Sequence, residues 1–167
     1  KHPGKLSPLV LPRWRDVDIA ARLHAQYGCP VLVDNDANLG ALAELWWGGG
    51  VGRRDMVLIK VRTGIGCGHI INGDIYRGAT GVAGEIGHLT IDPNGPPCVC
   101  GLNGCLATYV GTDALLARTR EALGAQVQSA LDPDDLDLAA LVAAARAGAP
   151  VAVRMIADAG RRLGTAI

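Results

Sequence analysis

Phenylalanine is absent from this chain of 167 residues, and aromatic residues make up only 4% of it, whereas 23 residues are glycine. The core must therefore be built from aliphatic side chains, with many turns and close approaches between backbone segments. A chain of this length is long enough to form one domain with a core of its own.

An excess of charge is also lacking, because 16 basic residues balance 16 acidic ones. A protein that binds nucleic acid along its whole length is typically basic, so this class is excluded for the chain. No apolar run approaches the roughly 20 residues of a membrane span, and no charged and then apolar leader opens the chain, so we expect no membrane partner. The sequence begins at Lys1 and stops within an amphipathic pattern, GRRLGTAI, so we expect both ends to be cuts through a longer protein.

Four potential metal ligands lie close together in the stretch GHLTIDPNGPPCVCGLNGC. They are one imidazole and three thiols: His88, Cys98, Cys100 and Cys105. This is a complete tetrahedral ligand set for zinc, and the glycines and prolines between the ligands favour a tight loop. Because four protein ligands leave no open coordination position, the ion is expected to hold the loop in shape and not to activate water.

A disulfide or free thiols are the alternatives to zinc in this loop. Cys98 and Cys100 are too close in sequence to pair comfortably, so a single bridge to Cys105 would leave one thiol over. The five cysteines of the chain form no even framework, which is typical of a reducing compartment, and we expect a cytoplasmic protein. Ligand type and spacing favour zinc.

Hydrophobic periodicity predicts an α/β chain with a mixed sheet. Helices are predicted over 16–27, 36–47, 112–123, 136–146 and from 151 onward, and strands over 30–34, 55–61, 67–71, 75–76 and 88–91, with a connector at 126–135. The strand at 30–34 is expected to be buried. The pair Trp46-Trp47 closes the second helix, and core packing is a better interpretation for it than stacking on a sugar or a base.

Asn35 and Asp36 follow the predicted strand at 30–34 and open the next helix. Ligands of α/β sheets bind beyond the carboxyl ends of strands. A carboxylate there can accept a proton from a substrate hydroxyl, and the neighbouring amide can bind a second hydroxyl. The alternative is local, with Asp36 as a helix cap and Asn35 as a turn residue.

Two glycine-rich segments are candidates for ligand contacts. In TGIGCG, at 63–68, glycines let backbone N–H groups approach a phosphate, although the segment matches neither the dinucleotide fingerprint nor a Walker A loop, and a tight hairpin is the simpler interpretation. In GEIGH, Glu85 and His88 can together bind a polyol. Alternatively, Glu85 is a solvated loop residue and His88 is a zinc ligand only.

The motifs VDNDANLGALAE, TGIGCGHIINGDIYRGATGVAGEIGH and CVCGLNGCLATYVG together resemble the ROK family of sugar-responsive repressors and sugar kinases. The resemblance implies an actin-like, ribonuclease H-like ATPase fold with a sugar-binding cleft between two domains. The chain would then be a partial ROK domain, 1–167, representing mainly the second domain. It would contain a zinc loop at 88–105 and C-terminal helices at 112–167, and the N-terminal half and C-terminal tail of the parent protein would be absent. Family members are expected to form homo-oligomers.

The resemblance also implies roles for particular residues. It implies zinc on His88, Cys98, Cys100 and Cys105, and sugar contacts from Asn35, Asp36, Glu85 and His88. In a family kinase, Asp36 would be the catalytic base, and Gly64 and Gly66 would lie near the phosphates of ATP, which is used together with magnesium.

One residue and several segments depart from the kinase pattern. Family kinases carry a sugar-binding glutamate where this chain has Ala107. The N-terminal phosphate motif, the adenosine segment and a helix-turn-helix are all missing from the sequence. Ala107 favours the sugar-sensing effector portion of a transcriptional repressor that binds DNA through a helix-turn-helix outside this chain. The retained Asp36 favours a glucokinase-like sugar kinase, and a zinc-binding interaction module without a ligand is a third interpretation.

Overall fold

The structure, a computed structural model, describes residues 17–124 and 131–167. The helices are α1 (Ile19–Tyr27), α2 (Asp36–Trp47), α3 (Ala107–Val110), α4 (Thr112–Gly124), α5 (Leu138–Arg146) and α6 (Pro150–Ala166). The strands β1 (Met56–Val61), β2 (Ile65–Ile71) and β3 (Asp74–Ile75) form a sheet in the order β1-β2-β3, and a 3₁₀ helix spans Ile86–His88.

The chain divides into two compact units, and each is described by itself. Unit 1 contains the described residues up to Lys60 together with Gly66–Glu85, and unit 2 contains Val61–Ile65 and Ile86–Ile167. The three cysteines of the predicted zinc site all lie in unit 2, whereas Asn35 and Asp36 lie in unit 1.

Unit 1 is built from helix α2 packed on the sheet. Its core contains Ala41, Leu45, Ile70 and Ile75, with Leu42, Met56 and Leu58 packed against them. Strand β2 carries glycine where the helix passes closest, because a Cβ on Gly68 would lie 2.4 Å from the carbonyl oxygen of Ala37. The glycine spacing of β2 therefore sets how closely α2 approaches the sheet.

The predicted strand at 30–34 is not a strand in the structure, and Leu32 is 97% exposed. A strand needs a neighbour to satisfy its backbone N–H and C=O groups, and none of the described residues pairs with this segment. The described sheet is accordingly small, with β2 and β3 antiparallel and Ile70 opposite Ile75, and is not the mixed sheet that we predicted.

Core packing was the wrong interpretation for Trp46 and Trp47, which are 55% and 79% exposed. The two rings contact each other edge to face, with their centroids 5.3 Å apart. The buried positions of α2 are Ala37, Asn38, Ala41 and Leu45. These residues form one face at helical spacing, and the tryptophans fall outside it.

Unit 2 contains the segment Val61–Ile65, a loop at 88–105 and helices α3 to α6. Its buried residues include Leu106, Leu115, Leu141, Ala152 and Met155. The predicted strand at 88–91 is replaced by the 3₁₀ helix and a single bridge between Thr90 and Cys105. Helix α3 was not predicted, since four residues are too few to show periodicity. Part of the predicted connector at 126–135 lies outside the described residues.

Among the described residues, no single helix is long and apolar enough to cross a membrane; α5 and α6 meet that test only as a pair bent by 107°.

Candidate metal centre and ligand site

The four predicted metal ligands converge in unit 2. The ligand atoms of His88, Cys98, Cys100 and Cys105 all lie within 4.8 Å of one another. Nδ1 of His88 is 3.4 Å from Sγ of Cys98, and Sγ of Cys100 is 3.6 Å from Sγ of Cys105. The imidazole therefore faces the cysteines with Nδ1.

These separations fit zinc. A tetrahedral ion with normal bond lengths separates two sulfurs by about 3.8 Å, and a sulfur and a nitrogen by about 3.6 Å. The observed sulfur–sulfur and sulfur–nitrogen distances, 3.6 Å and 3.4 Å, are close to both values. All five cysteines of the chain are free, so no disulfide competes for the thiols. The donor set is therefore that of a closed structural zinc site.

The electrostatics of the thiols also favour a cation. Burial, together with the neighbouring thiols of Cys100 and Cys98, raises the pKa of the Cys105 thiol to about 12. A hydrogen bond from the backbone of Leu102 lowers the pKa of the Cys100 thiol. The Cys105 thiol thus resists ionisation by itself, whereas a bound metal ion deprotonates the thiols that coordinate it.

Backbone hydrogen bonds fold the loop that carries the ligands. The N–H of Cys98 donates to Leu102 over 2.8 Å, and the N–H of Gly104 donates to Pro96 over 2.7 Å. The carbonyl of Gly104 accepts from Ile91 over 2.9 Å. These bonds close a short hairpin, which brings Cys98 and Cys105 together although they lie seven positions apart in sequence.

Tyr109 of helix α3 anchors this loop through a hydrogen bond. Its hydroxyl donates to Oδ2 of Asp92 over 2.7 Å, and this bond is the main cause of the lowered pKa of Asp92. The guanidinium of Arg162 lies 4.1 Å from the centroid of the Tyr109 ring, so α6 covers the tyrosine that supports the loop. Sequence reasoning missed both Asp92 and Tyr109, since nothing in the local pattern relates residues 17 positions apart.

In unit 1, Asn35 and Asp36 begin helix α2 as predicted, but their local roles differ from those expected. The side chain of Asn35 is the N-cap and accepts from the N–H of Ala37 over 2.8 Å. Asp36 is the first helical residue and makes an ion pair with Nζ of Lys60. Its side chain is 71% exposed, so this carboxylate is open to solvent.

Asp34 holds this segment in place. Its carboxylate accepts from Nδ2 of Asn38 over 2.9 Å and from the guanidinium of Arg77 over 2.5 Å and 3.1 Å. Burial would raise the pKa of Asp34, but the hydrogen bonds from Asn38 and Arg77 outweigh it and keep that pKa below its usual value. Sequence reasoning missed Asp34 and Arg77, because their pairing joins positions 43 residues apart.

The glycine-rich segment at 63–68 covers the turn between β1 and β2 and the start of β2, and the segment at 84–88 leads into the 3₁₀ helix. Gly64 belongs to the turn between β1 and β2, where its carbonyl accepts from the N–H of Arg62 over 2.9 Å, in agreement with the hairpin interpretation. A Cβ on Gly66 would lie 3.1 Å from Cβ of Ala37, so this glycine lies in close contact with helix α2. A Cβ on Gly84, next to Glu85, would lie 1.8 Å from the carbonyl oxygen of Cys67, which leaves room for glycine alone.

Ala107 is the first residue of helix α3, two positions after Cys105. Its methyl group offers no hydrogen-bond acceptor at a position immediately beyond the metal cluster. Glu85 ends unit 1 and His88 lies in unit 2, so the four predicted sugar-binding residues come from both units.

The family model described as the ROK family matches residues 6–167. The xylose repressor of Bacillus subtilis (strain 168) is 44% identical over 103 residues, which are 62% of this chain and 27% of that protein.

Two solved structures are similar to the chain at comparable levels. A ROK family transcriptional regulator, a homolog of the E. coli MLC protein, matches with a TM-score of 0.83 and 34% identity over 91% of this chain and 39% of its own. A ROK family glucokinase from Streptomyces griseus, in complex with glucose and AMPPNP, matches with a TM-score of 0.81 and 33% identity over 92% and 52% of the two chains. The chain thus spans about a quarter to a half of the length of these relatives. Repressors and glucokinases occur at similar identity, so similarity favours neither function.

Proposed function

Because the chain belongs to the ROK family and has its actin-like α/β fold, we propose that it is the sugar-sensing effector portion of a transcriptional repressor. The intact protein would bind DNA through a helix-turn-helix outside this chain. The observation that carries this proposal is Ala107, where family kinases have a glutamate that binds the sugar.

The role of Ala107 follows from what each function requires. Phosphoryl transfer depends on holding the reacting hydroxyl in a narrow range of positions, so the loss of a carboxylate that binds the sugar damages it severely. A sensor needs only a difference in sugar affinity between two conformations of the protein. A site with fewer fixed contacts is therefore better suited to sensing than to catalysis.

We assign the sugar contacts to Asn35, Asp36, Glu85 and His88. The Oδ1 atom of Asn35 is used by the helix cap, which leaves its NH₂ group as a donor for a hydroxyl. Asp36 offers an exposed carboxylate. Support for a sugar ligand comes from the related glucokinase, which was solved with glucose.

The metal cluster would orient His88 for this task. With zinc on Nδ1, the ring must carry its proton on Nε2, which can then donate to a sugar oxygen. The ion itself would be structural and would stabilise the loop that presents the imidazole.

Glu85→Ala tests the sugar site in the intact, zinc-loaded protein. We expect affinity for glucose or xylose to fall by about 1–3 kcal/mol, the usual loss for a hydrogen bond to a charged group. Zinc content should stay unchanged, and Ala107→Glu should tighten binding or change the preferred sugar. Isothermal calorimetry on the variants measures this, with Glu121→Ala on the exposed side of α4 as the control.

The sugar-site assignment is wrong if Glu85→Ala binds both sugars like the parent protein. If the parent binds neither sugar, the third interpretation, a zinc-binding interaction module, replaces the sensor.

A sugar kinase is the second candidate, and the retained Asp36 favours it. A base at this position would take the proton of the reacting hydroxyl, with Gly64 and Gly66 near the phosphates of ATP. An ATP-coupled assay with glucose separates the two functions. Turnover that disappears in Asp36→Ala would establish the kinase, whereas sugar-dependent release of operator DNA without turnover would establish the repressor.

A further inference from the structure

Lys60 lies on the face of β1 that packs against helix α2. Side chains alternate along a strand, so Met56, Leu58 and Lys60 share one face. Met56 and Leu58 pack against the core of unit 1, and a Cβ on Gly40 of α2 would lie 2.8 Å from Leu58. The lysine therefore occupies a position where this pattern calls for an apolar residue.

The electrostatics of this position do not favour a lysine. Nζ of Lys60 meets the carboxylate of Asp36 at the first turn of α2, and a helix N-terminus carries partial positive charge. The ion pair offsets part of this repulsion, but its side chains are 31% and 71% exposed, and exposed ion pairs contribute little to stability. Stability therefore does not account for the lysine.

The pair has the chemistry of a hydroxyl-binding site. A hydroxyl both donates and accepts, and Asp36 and Lys60 place an acceptor next to a donor on a surface open to solvent. We propose that Lys60 is a sugar-binding residue that shares one sugar hydroxyl with Asp36. The carboxylate accepts a hydrogen bond from the hydroxyl, and the ammonium donates a hydrogen bond to the hydroxyl oxygen. This inference rests on the proposed sugar site and adds to it a residue from β1.

A neutral hydroxyl is a better occupant than an anionic group. The carboxylate of Asp36 already supplies the negative charge beside the helix N-terminus, and Asp34 lies two residues before it. Of the two cations bonded here, Lys60 is paired with Asp36 and Arg77 with Asp34. A phosphate or carboxylate on the ligand would have to displace one of these pairs.

Lys60→Met tests the proposal, since methionine keeps most of the apolar stem and removes the donor. We expect the zinc-loaded intact protein to lose about 10- to 100-fold in affinity for whichever of glucose and xylose it binds. One monodeoxy analogue of that sugar should bind the parent more weakly by a similar factor, yet bind Lys60→Met as well as the complete sugar does. This loss of additivity is the mark of two groups in direct contact. Arg54→Met, which removes a cation bonded to Asn72, is the control and should bind like the parent.

Three outcomes overturn the proposal. If Lys60→Met binds the sugar like the parent while Glu85→Ala binds it more weakly, Lys60 is not a sugar contact and the proposed function stands. If removal of each hydroxyl weakens binding by the same factor in the parent and in Lys60→Met, Lys60 acts only through the structure of unit 1. If the parent binds neither sugar, the proposed function is wrong and Lys60 has no sugar to contact.

Discussion

At the scale of single residues, the metal centre depends on four side chains with unequal surroundings. Cys105 is fully buried, whereas His88, Cys98 and Cys100 are partly exposed. Because its pKa is raised to about 12, the buried thiol stays protonated near neutral pH without a nearby cation. Zinc binding and ionisation of Cys105 are therefore expected to occur together.

Removing one ligand should release the metal. In Cys100→Ala we expect zinc content to fall well below the near one equivalent expected for the parent, and the loop to loosen, because the binding energy of a structural site is folding energy. Elemental analysis of protein purified under reducing conditions measures the metal. Cys29→Ala changes an exposed thiol outside the cluster and serves as the control. A parent protein without metal, or with a Cys98–Cys105 disulfide, would contradict the zinc assignment.

At the scale of elements, the loop at 88–105 is shaped by glycines at two different kinds of position. Gly101 and Gly104 both have positive φ, 91° and 59°. A Cβ on Gly104 would lie 1.6 Å from the carbonyl oxygen of Asp92, whereas a Cβ on Gly101 would meet no atom within 4 Å. A side chain at Gly101 would therefore meet backbone strain alone, whereas a side chain at Gly104 would meet backbone strain and a steric clash.

Alanine at these two glycines should have clearly different costs. Gly101→Ala should lower the free energy of unfolding by about 1–2 kcal/mol, the cost of the left-handed conformation. Gly104→Ala should lower it by about 3 kcal/mol or more, since the backbone at Asp92 must also move. Urea unfolding of the zinc-loaded proteins measures both values, and zinc titration should show weaker binding for Gly104→Ala. Equal costs would mean that the loop adapts without strain at Asp92.

At the scale of the whole molecule, a cluster of charges joins two helices of unit 2. Asp158 of α6 accepts from Arg118 of α4 over 2.5 Å and from Arg162 over 2.8 Å, and these hydrogen bonds lower the pKa of Asp158 to about 2. A carboxylate with a lowered pKa in the folded state stabilises that state above its unfolded pKa, near 3.8. This stabilisation is lost as the pH falls from about 4 to 2.

The stability of Asp158→Asn should therefore depend less on pH in acid. Near neutral pH we expect its free energy of unfolding to be about 1–2 kcal/mol lower than that of the parent, a value reduced for partial solvent exposure. The difference should shrink as the pH falls toward 2. Urea unfolding of metal-free protein at several pH values removes any contribution of zinc release. Asp135→Asn, at an exposed position in the connector, is the control, and a pH-independent difference would rule out the charge network as its cause.

The sequence alone was sufficient for features that depend on neighbouring residues. Ligand type and turn residues predicted the whole set at His88, Cys98, Cys100 and Cys105, and the structure brings all four together. Helical periodicity predicted α2 with its observed bounds and α4 within one residue. These features are local because a metal loop and a helix are each defined within one stretch of fewer than about 20 residues.

Only the tertiary structure decided which residues lie inside and which charges meet. The apolar segment at 30–34 and the two tryptophans have the composition of a core, yet Leu32, Trp46 and Trp47 are all exposed, at 97%, 55% and 79%. The pairs Lys60–Asp36 and Arg77–Asp34 join positions 24 and 43 residues apart. Burial and ion pairing depend on which distant segments share a surface, and local sequence patterns carry no information about that contact.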